Sequence, residues 1–234
     1  MMFFDGTNIL LLPALLLSLY AQHKVKSTFN HFSSMPSRRG LSGAEAAYRL
    51  LRATGLYDVK IEHVPGNLID HYDPRSKTVR LSDSVYSRTS LAAIGVAAHE
   101  VGHALQHRTG YVPLAWRTGI FPLVSIASKL AMPLLMLGLI LSAGSGEFGM
   151  TMLYTGIILF SATVLFQIIT LPIEFNASKR AIQLLQEQGI LSTNETLPAR
   201  KVLDAAALTY VAVAITAVLN LVRFLLIANS RRSY

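Results

Sequence analysis

The residues with the clearest chemical content are His99-Glu100-Val101-Gly102-His103, set in residues 91–108, where apolar spacing predicts a helix. Positions i and i+4 share a helix face, so His99 and His103 present two imidazoles to one metal ion. Glu100 then lies beside the metal, where a carboxylate can take a proton from water, the central step of a zinc hydrolase. Catalytic zinc uses three protein ligands and leaves a position open, so a third donor is needed. His107 serves poorly: it lies about 12 Å beyond His99 along the helix. A His103/His107 pair would have Ala104 where the base belongs. Glu174 is the better expectation. It follows Pro172 at the end of an apolar stretch, on the same side of the membrane as His103 because two predicted spans separate them. A carboxylate there is costly without a partner. The alternative is a helix-start carboxylate favoured by the helix dipole.

The elements that must position these side chains are oily. Apolar residues make up 52% of the 234-residue chain and charged ones 15%. The mean hydropathy is +0.43, which predicts membrane segments. Spans are expected at 1–21, 118–143, 150–171 and 205–228. The first is the shortest, and it lacks a basic leader and a small-residue cleavage pattern. It reads as a retained anchor, with a buried core helix as the alternative. Thirteen of the 21 basic residues fall in 22–117, and Lys179, Arg180, Arg200 and Lys201 fall in 172–204. The 144–149 connection has none and the N-terminal tip carries only Asp5, so both basic regions are expected in the cytosol. Arg231 and Arg232 run against that orientation. The expected class is a mainly α membrane protein with about four transmembrane helices and a small α+β cytosolic region.

Within 22–117, residues 33–43 read as loop and 44–53 as a helix stopping at Thr54-Gly55. Residues 59–64 and 68–81 read as β structure, with a hairpin of 69–72 and 77–81 around Asp73-Pro74-Arg75-Ser76. Residues 87–90 offer caps for the histidine helix. Beyond the third span, 174–188 is expected to be a helix, 192–196 a loop, and 199 onward a helix running into the fourth span. His71 and Asp73 read as turn residues, while His23, His31 and His63 read as surface residues. Lys129 reads as a snorkelling side chain and Gly102 as a packing residue. The absence of Cys removes disulfides and thiolate metal sites and fits a reducing compartment. No finger spacing and no basic helix interleaved with aromatics is present, so the net charge of +8 points to the lipid bilayer and excludes nucleic acid as partner.

Four stretches together resemble the YugP-type neutral zinc metallopeptidases of bacterial membranes. They are residues 97–106 around the histidine pair, 70–82 (Asp70-His71-Tyr72-Asp73-Pro74 onward), 171–178 (Leu171-Pro172-Ile173-Glu174-Phe175-Asn176-Ala177-Ser178) and 199–210. The resemblance runs nearly end to end. It implies an integral membrane, zincin-like peptidase of gluzincin-like type in a bacterial membrane, and the basic regions predict that its site faces the cytosol from the cytoplasmic membrane. The two-part metal signature is more distantly similar to that of HtpX-type and CAAX prenyl proteases, whose third ligand is a Glu after a later span; that position is Glu174. The HtpX-type pattern has Asp where this chain has Ser178. Relatives tend to have Asp at the position of Asn176 and Asn at that of Asp204, an exchange that predicts contact between the two side chains.

The mechanism expected from these residues has Zn2+ on His99, His103 and Glu174, Glu100 as general base, and Tyr210 and Arg180 as candidate oxyanion donors. Tyr210 also reads as an interfacial aromatic and Arg180 as a topology charge. A peptide or membrane-protein substrate would add as a strand to the edge of 77–81. The opposing class is a catalytically silent membrane scaffold stabilised by zinc. A transporter is disfavoured, because no set of intramembrane acids marks a pathway.

Overall fold

Ser42 and Ser90 each precede a run with helical apolar spacing, and each caps a helix. Glu45 N donates to Ser42 Oγ at 3.2 Å while Ser42 N donates to Glu45 Oε2 at 2.8 Å, a reciprocal box that opens α2 (Gly43–Ala53). The helix stops at Thr54, and Gly55 takes φ 72°, the left-handed conformation that favours glycine. Ser90 Oγ accepts from Ala93 N at 3.2 Å and opens α3 (Leu91–Arg108), the histidine helix. The remaining helices are α1 (Leu11–Ser33), preceded by a 3-10 turn at Gly6–Leu10, then α4 (Val112–Leu141), α5 (Glu147–Glu187) and α6 (Thr193–Arg232). The computed structural model describes residues 6–142 and 147–232.

Three strands, β1 (Lys60–Val64), β2 (His71–Asp73) and β3 (Thr78–Ser82), form a sheet in the order β1-β3-β2. The predicted hairpin is present: β2 and β3 run antiparallel, with Tyr72 opposite Val79. Its turn is closed by Asp73, which accepts from Arg75 N (2.9 Å), Ser76 Oγ (2.7 Å) and Arg80 Nη1 (3.1 Å). The Ser76 hydroxyl, then the Arg80 guanidinium, hold the Asp73 carboxyl far below the usual carboxylate range. β1 pairs with β3 in parallel, Ile61 opposite Val79. This corrects one expectation. Residues 77–81 were to offer a free edge to substrate, but β3 is the central strand and both its sides are paired; the open backbone edges belong to β1 and β2.

The chain forms two units. The polar unit takes 21–115 and 172–209, and the apolar unit the described parts of 1–20, 116–171 and 210–234. In the polar unit, Leu50, Leu51, Val79, Leu81, Ile94, Val101 and Leu185 share one buried core. Gly102 is where α3 meets α5: a Cβ there would lie 2.6 Å from Ala177 O. Gly102→Ala therefore forces the helices apart, and a loss of about 1–3 kcal/mol is expected. Thermal unfolding in detergent checks it; an unchanged midpoint would show that the approach is not tight.

In the apolar unit, Leu135, Leu153, Ile157, Phe224 and Ala228 pack together, and outward-facing Leu123 and Ile158 are 70% and 69% exposed. Among the described residues, three helices are long and apolar enough to cross a membrane: Val112–Leu141, Glu147–Glu187 and Thr193–Arg231. The expected first span is not among them. Its helix turns polar at Gln22, and Phe29 and Phe32 of α1 join the core of the polar unit. The third and fourth spans lie inside longer helices. Pro172 removes one backbone donor without ending α5. Ser192 N donates to Glu195 Oε2 at 3.0 Å, so α6 starts at Thr193, inside the loop expected at 192–196 and ahead of the expected start at 199. Asp5 and residues 144–146 of the expected connection lie outside the described residues, and 147–149 already belong to α5.

Candidate metal centre

The buried residues of α3 include the small Ala97, Ala98, Gly102 and Ala104, and at Gly102 the backbone of α5 approaches closely. One turn of α3 carries His99 and His103, and the facing turn of α5 carries Glu174. Helical spacing thus sets two donors and the helix–helix contact sets the third. The His99 and His103 Nε2 atoms are 3.1 Å apart, with the rings edge to face at 87°. Glu174 Oε2 lies 3.3 Å from the first and 3.5 Å from the second. The two His side chains are 15% exposed and that of Glu174 is 5% exposed.

These residues fit a zinc ion. Tetrahedral Zn2+ with donors at about 2.0–2.1 Å separates each pair of donors by about 3.3–3.4 Å, the spacing of this triangle. Glu174 Oε2 is buried without a hydrogen bond, an arrangement that costs free energy unless a cation lies against it. Two imidazoles and a carboxylate also form a donor set that suits Zn2+.

The far sides of both rings are held by neutral groups. His99 Nδ1 is 3.1 Å from Ser178 Oγ, and His103 Nδ1 is 3.0 Å from Gln106 Oε1. Gln106 is fully buried and donates through Nε2 to Ile173 O at 2.8 Å and to Asn176 Oδ1 at 3.0 Å. Asn176 Oδ1 also accepts from Arg180 Nε at 2.8 Å. Gln106 and Ser178 escaped the sequence reading as partners of the ligands. The same helical spacing finds them: Gln106 is three residues past His103, and Ser178 is four past Glu174.

Glu100 is 7% exposed, and no hydrogen bond reaches its carboxylate among the described residues. Burial pushes its pKa above the usual carboxylate range, His99 and His103 pull it down, and the Asp70 and Glu174 charges raise it further. Asp70 is itself held by Ser82, accepting from its N at 2.7 Å and from its Oγ at 2.9 Å.

Of the expected oxyanion donors, Arg180 has Nε on Asn176 and Nη1 3.4 Å from Thr109 Oγ1, with its guanidinium 5.8 Å from the Tyr111 ring. Tyr210 is the first residue of the last segment of the apolar unit and is 38% exposed. His107 stands outside the ligand group, its Nδ1 3.0 Å from the Tyr72 hydroxyl. No hydrogen bond joins Asn176 to Asp204 among the described residues. Asn176 is bonded to Gln106 and Arg180, and Asp204 makes no side-chain hydrogen bond among the described residues. The acid–amide exchange therefore does not report a hydrogen-bonded pair.

Over residues 7–229 the chain matches the model of a family described as "Putative neutral zinc metallopeptidase". It is 51% identical over 218 residues to a protein of Bacillus subtilis (strain 168) named "Putative membrane protease YugP", covering 93% of this chain and 94% of that one. No solved structure matches it.

Proposed function

Because this chain belongs to that neutral zinc metallopeptidase family, we propose that it is a membrane-integrated, zinc-dependent peptidase. The observation that carries the reading is the triangle of His99 Nε2, His103 Nε2 and the unsatisfied Glu174 Oε2, with unpaired, buried Glu100 on the same helix turn. Zinc bound there supplies a Lewis acid that polarises a peptide carbonyl and acidifies water. Glu100 accepts the proton of the attacking water and later delivers it to the leaving amine. Its burial without a hydrogen bond leaves the carboxylate available to take that proton and to return it. His99 and His103 keep their Nε2 atoms inward because Ser178 and Gln106 occupy the opposite ring nitrogens.

The substrate is a peptide or membrane protein close to the bilayer. Three apolar helices and the relative's printed name support the membrane setting. The basic residues of 22–117 and 172–204 support a site on the cytosolic face of a bacterial inner membrane. Tyr210 keeps the role of oxyanion donor on the strength of the sequence resemblance. Tyr210→Phe is expected to lower kcat by roughly 10²-fold with zinc content unchanged. Full turnover in that variant removes Tyr210 from the mechanism.

The reading is tested with the purified, detergent-solubilised chain and an unfolded protein as substrate. Chelation stops hydrolysis and added Zn2+ restores it. Hydrolysis that survives complete removal of metal overturns the proposal.

A further inference from the structure

We infer that Gln106, Asn176 and Arg180 form a directional relay that sets the tautomer and orientation of His103 before metal arrives, and so sets the affinity of the centre. The inference rests on the zinc reading above and adds three positioning residues to it.

Each link is fixed by a group that can only donate or can only accept. A guanidinium has five N–H groups and no acceptor, so Arg180 Nε fixes the Asn176 oxygen toward itself. With that oxygen in place, the Gln106 amide must present its NH2 to Asn176. Ile173 O, a backbone carbonyl that can only accept, demands the same of Gln106 from a second direction, at 2.8 Å. Both ends therefore agree, and a flipped Gln106 would set oxygen against oxygen at two contacts. Its Oε1 is then left facing His103 Nδ1 at 3.0 Å, and an acceptor there requires Nδ1 to carry the proton. In the neutral ring the lone pair of His103 then lies on Nε2, which faces Glu174 and His99.

His99 has no such assignment. Its partner is a hydroxyl, Ser178 Oγ at 3.1 Å, which can donate or accept. The two ligands are thus prepared differently: the ring proton of His103 is pre-set by a buried relay, and that of His99 can settle on either nitrogen when the ion binds. The relay also spans the contact of α3 with α5, since Gln106 lies on one helix and Ile173, Asn176 and Arg180 on the other. Orienting His103 and placing Glu174 are therefore linked.

The test measures zinc affinity by competition with a chromophoric chelator, together with the visible spectrum of the Co2+-loaded protein. It uses the full chain in detergent. Gln106→Leu is expected to weaken zinc binding roughly 10–100-fold and to shift the cobalt bands. Asn176→Leu and Arg180→Gln weaken it by smaller factors. Asn176→Asp, which keeps an acceptor toward both Gln106 and Arg180, retains the affinity. The Gln106→Leu/Asn176→Leu double variant binds no more weakly than Gln106→Leu alone, because both changes act through one ring nitrogen. Arg180 is half-buried, so Arg180→Gln keeps the test open if the Gln106 variant fails to fold. Parental affinity and cobalt spectrum in every variant overturn the relay alone, as do losses in the double variant that simply multiply. A parental chain that binds no zinc overturns the metal reading and the relay with it.

Discussion

Glu100→Gln leaves zinc bound and lowers kcat for peptide hydrolysis by roughly 10²–10⁴-fold, the usual worth of a positioned proton acceptor. The amide has the shape of the carboxyl but cannot take a proton from water. The candidate metal ligands, His99, His103 and Glu174, are untouched, and no hydrogen bond to Glu100 is broken. Stability should not fall either. A buried carboxylate without a bonded partner pays a desolvation penalty that a neutral amide largely avoids. An equal or higher unfolding midpoint, measured beside zinc content and turnover, would separate lost chemistry from lost structure. Turnover at the parental rate would mean that another group is the base.

Glu174→Ala removes the metal. Apparent free energies of about 10–16 kcal/mol for four-coordinate zinc correspond to a few kcal/mol per donor, so loss of one donor weakens binding roughly 10²–10³-fold. The two imidazoles alone leave Zn2+ without the anion that offsets its charge, and their Nε2 atoms remain 3.1 Å apart. The variant should purify with little zinc, and its hydrolysis should return only at high added Zn2+. Stoichiometric zinc at parental affinity would assign the third donor elsewhere.

The histidine helix was legible because the chemistry and the structure share one period: residues four apart meet on a face, and Ser90 caps the run. Glu174 was reachable by topology, since two spans bring it back to the side of His103. Its distance from the imidazoles was not, because it depends on how closely α5 approaches Gly102. The hairpin around Asp73 followed from local turn chemistry, whereas the parallel pairing of β1 with β3 joins segments that no local signal connects. Helix ends were misjudged for a physical reason. Hydropathy falls where a chain leaves lipid, but the backbone ladder of α5 continues past Pro172 to Glu187. Asn176 is bonded to Gln106 and Arg180 where a partnership with Asp204 was expected, because an exchange of residue types indicates coupling without naming the partner in space.

The central claim is that the zinc in this protein cuts peptide bonds. Zinc content and turnover of an unfolded protein, measured on one purified preparation as its zinc occupancy is varied, test it most directly. The account predicts turnover that rises in proportion to occupancy and reaches its maximum at one zinc per chain. One zinc per chain with no hydrolysis of any unfolded protein, in detergent or in lipid, would contradict it and leave a zinc-stabilised membrane scaffold.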